Sequence, residues 1–409
     1  MPIFPPNTMN IKLPKMVKVR QHFRCEQLQD IETHLFEELK REEISKTVLP
    51  GSKVALCVGS RGINNIVEIT RCIGDFLKEL GAGPFVVPSM GSHGGATAEG
   101  QKAVLKGLGI TEESVKMPIH SSMEVVQIGI FSGRIPVFMD RIAYEADAVI
   151  PIARIKPHTG FRGKVESGLC KMMAIGLGKH EGSSRLHHEG YENFARIIPG
   201  IAKIFIEKAD ISFGVAILEN AYDGTAFIRA IPAADITEEE PKLLGKSIEM
   251  LPRIQIPEID VLVIEQIGKD ISGTGMDLNV IDRASQGRLP GYSTASIDKI
   301  VVLDLSAGAR GNACGIGVAD FTTKSAFKKI DLEKTYTNTL TSTNTLGGKI
   351  PIIMEDKREA IIAAIKCCHG IDENNARIVK IPDTMHLDLL EASENLKVII
   401  RDTPGMEVL

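Results

Sequence analysis

The chain has 409 residues, with 48 lysines and arginines against 52 aspartates and glutamates and a formal net charge of −4. This balance excludes a generally basic protein that binds nucleic acid or a membrane surface. The 5% aromatic content argues against a stacking surface for bases, and about 150 residues per domain predicts two or three domains.

In the first part of the chain, short apolar runs alternate with segments of helical periodicity. This alternation is typical of an α/β fold whose mostly parallel sheet is covered by helices. The predicted strands are Val54–Val58, Pro84–Pro88, Ala148–Ile152, Ile211–Leu218 and Ala226–Ile231. The predicted helices are Ile63–Leu80, Thr97–Leu108 and Tyr191–Lys208.

The proline-rich segment Leu251–Pro257 is the best candidate for a linker, and the alternation restarts after it. We predict two α/β domains, residues 1–255 and 256–409, with a ligand-binding cleft between them. The second domain is predicted to contain strands Asp260–Glu265, Lys299–Leu305, Ala376–Ile381 and Val398–Arg401, and helix Ala360–His369.

The sequence predicts a reduced, cytoplasmic setting. The segment Met1–Lys15 lacks the apolar region of a secretory signal, and no apolar run reaches the ~18 residues of a membrane span. The seven cysteines are odd in number and include no CxxC pair. Neither a disulfide framework nor a thiolate zinc site is therefore expected.

A glycine-rich loop, Ser92-His93-Gly94-Gly95, lies between a predicted strand and a predicted helix. Such loops offer backbone amides to an anion, and Thr97 is placed to cap the helix that follows. The loop presents His93 as a candidate acid or base. The alternative is a tight turn whose histidine only bonds backbone.

A second loop, Ala153–Lys164, directly follows the third predicted strand and has His158 at its centre. Ligands of open α/β sheets bind at the carboxyl ends of such strands. Nearby cations suit a phosphate or carboxylate ligand and are expected to lower the pKa of His158. The alternative is a solvated basic loop. The cations are Arg154, Lys156, Arg162 and Lys164.

Lys171 stands in a stretch of apolar and small residues, where a lysine either extends its amine to solvent or is placed for chemistry. In the second case desolvation would lower its pKa and make the amine nucleophilic. His187 and His188 follow 16 and 17 residues later. No carboxylate or further histidine stands at ligand spacing, so the sequence does not support a metal site built from protein side chains alone.

In the second domain, the glycine-containing segments Gly268–Asn279 and Ser306–Gly317 follow predicted strands. The first of them offers Asp277 and Asn279 at a strand end. They are candidates for lining the cleft, or alternatively glycine turns that pack this domain.

In order and residue type, these segments resemble the nickel-dependent lactate racemase family, the nickel-pincer-nucleotide racemases and epimerases of 2-hydroxy acids. Ser167–Lys171 matches the family's lysine motif, with leucine in place of its second glycine. The resemblance implies a covalent nickel complex of pyridinium-3,5-bisthiocarboxylic acid mononucleotide on Lys171. It also implies one protein ligand to nickel, His187, with His188 as the fallback.

The resemblance further implies roles for the remaining residues. His93 and His158 match the paired acid/base histidines, and Arg61 matches the arginine that holds the substrate or cofactor. The expected cofactor-binding residues besides Lys171 are Ser92, Gly94, Gly95, Ser167, Gly168, Asp277 and Asn279.

The implied reaction inverts C2 of a 2-hydroxy acid by proton-coupled hydride transfer, and cofactor-synthesis proteins are the implied partners. Val58 stands where the family has an acid, and the His158–Lys171 interval is longer than in the lactate enzyme. We therefore expect a substrate other than lactate, such as a dicarboxylate or a sugar acid.

Two other functions are compatible with the same residues. Lys171 is also suited to a Schiff-base lyase or aldolase, and the chain is alternatively a non-catalytic protein that binds or senses a cofactor. The sequence defines neither the oligomeric state nor the identity of the hydroxy acid.

Overall fold

The structure, a computed structural model, describes Phe4, residues 8–281, Arg283 and residues 291–409. The chain forms two compact units, one of residues 24–251 and the other of residues up to Phe23 together with 252–409. The division after residue 251 lies at the start of the predicted linker. The first 23 residues, predicted to belong to the first domain, instead join the second unit because their strand pairs with strands near the C-terminus.

The strands of the described residues agree with the predicted α/β alternation in the segments where both exist. Several further strands were not predicted, among them the first and the last. The strands are β1 (Met16–Gln21), β2 (Lys53–Val58), β3 (Gly83–Pro88), β4 (Val125–Phe131), β5 (Ile135–Asp140), β6 (Ala148–Arg154), β7 (Phe213–Glu219), β8 (Thr225–Pro232), β9 (Glu258–Ile267), β10 (Ser296–Leu305), β11 (Phe321–Thr323), β12 (Ile352–Met354), β13 (Ile378–Ile381), β14 (Leu389–Ser393) and β15 (Met406–Val408).

The helices between them are short to medium in length. Within the described part of the chain, none has the length and apolarity needed to cross a membrane. The helices are α1 (Ile31–Lys40), α2 (Glu42–Ser45), α3 (Ile66–Glu79), α4 (Ala98–Gly107), α5 (Glu112–Val115), α6 (Arg141–Tyr144), α7 (Leu169–Lys171), α8 (Lys179–His188), α9 (Phe194–Lys208), α10 (Ile236–Glu249), α11 (Leu278–Ile281), α12 (Lys324–Lys329), α13 (Leu332–Thr341), α14 (Lys357–Lys366) and α15 (Lys397–Asp402).

The unit of residues 24–251 is built on a five-stranded sheet of order β3-β2-β6-β7-β8. The first four strands are parallel and β8 is antiparallel. Both faces of the sheet are covered, since alternate residues of β2 enter two different cores: Leu56 packs in one and Cys57 in the other. The strands therefore read as continuous apolar runs, as expected for a buried parallel sheet.

The second unit contains an eight-stranded mixed sheet of order β12-β11-β10-β9-β13-β14-β1-β15. Strands β9 to β13 pair in parallel, and β14, β1 and β15 extend the sheet with antiparallel pairs. The unit is thus also α/β, in agreement with the predicted fold class.

The predicted last strand, Val398–Arg401, is wrong, because these residues form most of helix α15. Leu396 and Ile400 are buried four residues apart, whereas Val398 between them is 67% exposed. That spacing is helical, and the run was too short for alternation to distinguish the two structures.

Candidate functional site

The candidate site forms at the carboxyl ends of three adjacent strands. The loop after β2 contains Ser60 and Arg61, the loop after β3 contains His93, and the loop after β6 contains His158. Because β3, β2 and β6 are parallel neighbours, these loops emerge at one edge of the sheet. This is where open α/β sheets bind their ligands.

The loop after β3 depends on its glycines for its shape. Gly94 and Gly95 have φ of +67° and +65°, in the left-handed region that favours glycine. A Cβ at Gly94 would lie 2.5 Å from the backbone nitrogen of Gln101, so the loop packs directly on the start of α4. The predicted cap is confirmed, since the Gly100 N–H donates to the Thr97 hydroxyl at 3.0 Å.

His93 is joined to the neighbouring loop through its ring. Its Nδ1 lies 2.5 Å from the Ser60 Oγ, next in sequence to Arg61. A hydroxyl both donates and accepts, so Ser60 can stabilise either neutral tautomer of His93. The side chain is exposed, and the ring is therefore held in place while remaining accessible to a ligand.

Glu166 organises the loop around His158. Its carboxylate is fully buried and accepts the backbone N–H of His158 at 2.6 Å and that of Gly163 at 3.3 Å. Arg162 lies 3.4 Å from the same carboxylate and compensates its charge. This role of Glu166 was not predicted, although the residue directly precedes the lysine motif Ser167–Lys171.

The ring of His158 has a defined hydrogen-bond state. The Gly160 N–H donates to its Nδ1 at 2.9 Å, so the neutral ring carries its proton on Nε2. The ring packs against Phe161 and Tyr191 at 4.6 and 6.0 Å between centroids. Burial, followed by the charge of Lys171, lowers the pKa of His158 well below its usual value. The direction agrees with the prediction, but burial contributes more than any single cation.

Part of the predicted cation cluster is used inside the protein. Arg154 forms an ion pair with Glu219, which is 5% exposed. Arg162 donates to the His158 carbonyl at 2.5 Å besides pairing with the buried carboxylate described above. Two of the four cations therefore stabilise the loop itself, which leaves less positive charge for a ligand than the sequence suggested.

Lys171 ends the short helix α7, which starts beside a buried carboxylate. The Cys170 N–H donates to Glu240 Oε2 at 2.8 Å, and burial raises the pKa of Glu240 to about 7. Gly168 makes this approach possible, because a Cβ there would lie 2.2 Å from Glu240 Oε1. A π-helical segment, Met172–Gly176, follows directly, and such segments are frequent at functional sites.

The amine of Lys171 is in a low-polarity, positively charged setting. Burial lowers its pKa to about 7, with further lowering by Arg61 and Lys156 and an opposing effect of Glu166. Part of the side chain is still reachable by solvent. Among the described residues, its Nζ makes no hydrogen bond and no ion pair, so a large fraction of the amine is unprotonated and nucleophilic at neutral pH.

His187 lies at the end of α8 with one ring nitrogen engaged. Its Nδ1 is 2.7 Å from the Ser183 carbonyl oxygen, which fixes the Nδ1–H tautomer and leaves the Nε2 lone pair for another partner. The ring packs against Tyr191 and Phe194 at 5.7 and 5.5 Å. Burial and the charge of Lys171 lower the pKa of His187, so the ring is neutral at pH 7.

The structure thus brings the main predicted residues together in one unit. Lys171 acts electrostatically on both His158 and His187, Arg61 acts on Lys171, and Ser60 connects the neighbouring loop to His93. His188, the alternative ligand, is exposed.

The other predicted cofactor-binding residues are distributed differently. Ser92, Gly94, Gly95, Ser167 and Gly168 all lie on the loops or helix start just described. Asp277 and Asn279 belong to the second unit, where the Asn279 N–H donates to Asp277 Oδ1 at 2.8 Å. Their binding of a cofactor stays a prediction.

Sequence reasoning did not identify Ser60 or Tyr191. Ser60 stands in a glycine-flanked stretch beside Arg61, which was a usable signal. The ring of Tyr191 contacts those of His158 and His187, and these contacts become apparent only in the folded structure. Within the described residues, no three histidine, cysteine, aspartate or glutamate side chains are grouped to hold a metal ion.

Comparison with known proteins supports the fold. Residues 58–226 match a family model described as a domain of unknown function, DUF362. The chain is also similar to the lactate racemase apoprotein from Thermoanaerobacterium thermosaccharolyticum, with a TM-score of 0.50 and 11% identity, over 94% of this chain and 96% of that one. Among curated proteins, none matches this sequence. The chain therefore has the α/β fold of that apoprotein.

Proposed function

We propose that this protein is a racemase or epimerase that inverts C2 of a 2-hydroxy acid, with a nickel-pincer nucleotide attached to Lys171. The observation that carries the proposal is the pairing of a nucleophilic Lys171 amine with a nearby His187 whose Nε2 is available. The fold shared with a lactate racemase apoprotein supports the same reaction class.

Lys171 and His187 fit the implied nickel-pincer nucleotide. A lysine with a pKa of about 7 supplies the unprotonated amine that an amide-type bond to the nucleotide requires. A neutral imidazole with Nδ1–H bonded to a carbonyl is the usual state of a metal-binding histidine. The sulfur arms of the nucleotide would supply soft ligands that nickel accepts. When bound, the group would take hydride from C2 of the substrate and return it.

Side chains of this protein would bind the substrate and transfer the hydroxyl proton. Arg61 would bind the substrate carboxylate through a charge-assisted fork and so orient C2. His93 would remove the hydroxyl proton as the C2–H bond breaks, and would return that proton when the bond re-forms. The hydroxyl of Ser60 supports both protonation states of the ring.

His158 would serve the opposite substrate enantiomer, but it is not equivalent to His93. Its neutral ring carries hydrogen on Nε2 and so donates a hydrogen bond to a substrate oxygen. To accept a proton at Nε2, the ring must move its proton to Nδ1 and give up the bond from Gly160. We therefore infer unequal roles for the two histidines in the two directions of the reaction.

A substrate other than lactate remains our proposal, with a dicarboxylate or sugar acid as the class to test. Lys164 of the loop after β6 is exposed, and the same loop carries Arg154, Lys156 and Arg162. A second acidic or polar group on the substrate would meet the positive charge of this loop. A panel in which lactate is inverted fastest would count against this part of the proposal.

The attachment is tested by intact mass and nickel content after co-expression with cofactor-synthesis proteins. We expect an adduct that maps to Lys171 and about one nickel per chain, and neither in Lys171→Ala. Lys203→Ala, on the solvent side of α9, is a matched control that should load normally. An adduct retained in Lys171→Ala would overturn the assignment of the lysine.

The low pKa of Lys171 also suits a Schiff-base lyase or aldolase, which is the second candidate. Borohydride treatment in the presence of carbonyl compounds separates the two. Irreversible trapping of substrate carbon on Lys171 would favour the lyase, whereas the racemase predicts none. A loaded protein that binds the nucleotide but inverts no hydroxy acid would instead be a cofactor-binding or sensing protein.

A further inference from the structure

Lys179, the first residue of α8, is unusual in two respects. Its side chain is fully buried, and its backbone has φ of +51°, in the left-handed region that non-glycine residues rarely adopt. Such a conformation persists only where the surroundings determine it. The contacts of the ammonium group show what determines it here.

The Lys179 ammonium lies within 3.0 Å of three oxygen atoms on three different elements. Nζ donates to the carbonyl of Pro88, at the end of β3, at 2.6 Å and to Gln101 Oε1, on α4, at 2.8 Å. Asp140 Oδ2, at the end of β5, lies 3.0 Å away as an ion pair without hydrogen-bond alignment, and it too is fully buried. The lysine therefore joins β3, α4 and β5 to the start of α8.

Gln101, which accepts a hydrogen bond from Lys179, also bonds the loop of His93. Its Nε2 donates to the Gly91 carbonyl at 2.8 Å and to the His93 carbonyl at 3.3 Å. The Gly91 N–H in turn donates to Gly176, in the π-helical segment after Lys171, at 3.1 Å. The loop is thus fixed to the same segment that leads into α8.

We propose that Lys179 is a positioning residue that holds the His93 loop and the His187-bearing helix α8 in one arrangement. The inference rests on the proposed function for its catalytic consequence. Its geometric content, the dependence of His93 on Lys179 and Gln101, does not depend on that function.

A positioning role of Lys179 can be separated from a purely structural one by removing both charges of the buried ion pair at once. Replacing a buried ion pair by apolar residues of similar volume is often neutral or stabilising, whereas removing one partner leaves an uncompensated charge. The double variant Lys179→Met/Asp140→Leu therefore removes the connection without leaving an uncompensated charge, and its expected cost to the fold is the N-cap of α6, where Asp140 Oδ1 accepts the Ala143 N–H at 2.8 Å. Lys242→Met/Glu239→Leu, an ion pair of 2.6 Å with a 67% exposed lysine on α10, is the matched control.

The first readout uses the apoprotein, with ¹⁵N-labelled histidine followed by NMR. We expect the double variant to melt within a few degrees of wild type but to lose the ordered Nδ1 resonance of His93 bonded to Ser60. The second readout uses cofactor-loaded protein, where we expect kcat to fall at least tenfold with little change in KM or nickel content. The control pair should change neither.

Wild-type His93 resonances together with wild-type kcat in the double variant would overturn the inference. If the double variant does not fold, Gln101→Glu decides, because it keeps the acceptor for Lys179 but removes both N–H groups that bond Gly91 and His93. Unchanged His93 resonances in that variant would also overturn it. If loaded wild type inverts no hydroxy acid, the proposed function fails, and the apoprotein resonances alone decide this inference.

Discussion

The ring of His187 donates through Nδ1 to the carbonyl oxygen of Ser183, one turn earlier on α8, at a distance of 2.7 Å. This bond orients the imidazole along its own helix and leaves Nε2 as the only free lone pair of the ring. His188, the next residue, is exposed. Adjacent histidines on one helix therefore have different chemical environments.

The first prediction concerns these two histidines. His187→Ala should lower the nickel retained by purified, loaded protein at least about tenfold, since even outer-shell partners of metal ligands contribute 10–100-fold. The lysine adduct should remain, because it is held by a separate covalent bond. Metal analysis together with intact mass measures both. His188→Ala is the control, and the opposite pattern would move the ligand to His188.

The second prediction concerns proton transfer. His93→Ala should lower kcat by about 10²–10⁴, the usual contribution of a general acid or base, with the adduct and nickel unchanged. His120→Ala is the control, since His120 packs on Phe85 at 5.1 Å on another part of the unit. Initial rates from both pure enantiomers provide the measurement. Full activity of His93→Ala would remove this histidine from the mechanism.

The third prediction concerns the protonation of Lys171. Because its folded pKa is lowered to about 7, its reaction with an acylating reagent should level off just above pH 7. The reactivity of an ordinary exposed lysine should still rise towards its pKa of about 10.4. Mass spectrometry of labelled peptides from apoprotein measures both classes in one sample. Arg61→Ala should shift the Lys171 profile to higher pH by removing a neighbouring positive charge.

The lowered pKa of Lys171 also makes the stability of the fold depend on pH. The unfolded lysine binds its proton up to about pH 10.5, whereas the folded one releases it near pH 7. The contribution of Lys171 to the free energy of unfolding is therefore present in full above about pH 10.5, and it is lost as the pH falls towards 7. Lys171→Met should weaken the rise in stability between these values. An unchanged rise in this variant would show that Lys171 keeps an ordinary pKa.

The fourth prediction compares two adjacent glycines of the His93 loop. Gly95→Ala meets no atom within 4 Å, so it should cost only about 1–2 kcal/mol for its left-handed φ. Gly94→Ala places a Cβ 2.5 Å from the Gln101 nitrogen and should cost a further ~1–3 kcal/mol as the backbone shifts. Denaturant unfolding measures both. Equal losses would show that the loop moves freely over α4.

The sequence predicted the fold where local patterns decide it. Strands β2, β3 and β6 are buried on both faces, so their apolar runs and the loops that follow them were recognisable. The strand at Met16–Gln21 was missed because its partners in β14 lie 369 to 377 positions away in the sequence. Val398–Arg401 was assigned as a strand because four residues are too few to separate the two periodicities.

The site was predictable to the extent that its chemistry is carried by residue type and motif. His93, Lys171 and His187 lie in recognisable segments, and the structure groups them. Glu166, Glu240 and Lys179 act through burial and through partners distant in sequence, such as Lys179 with Gln101. The ion pair between Arg154 and Glu219 could not be predicted either, because these residues are also distant in the sequence.

Hydride transfer at C2 can be tested by following the C2 hydrogen while loaded protein inverts its substrate. A single enantiomer of a 2-hydroxy dicarboxylate or sugar acid, deuterated at C2, is incubated in ordinary water and the product enantiomer is isolated. We expect inverted product that retains its C2 deuterium, and no inversion by Lys171→Ala. Inverted product that has exchanged its deuterium for solvent hydrogen, or a fully loaded wild type that inverts no member of the panel, would contradict it.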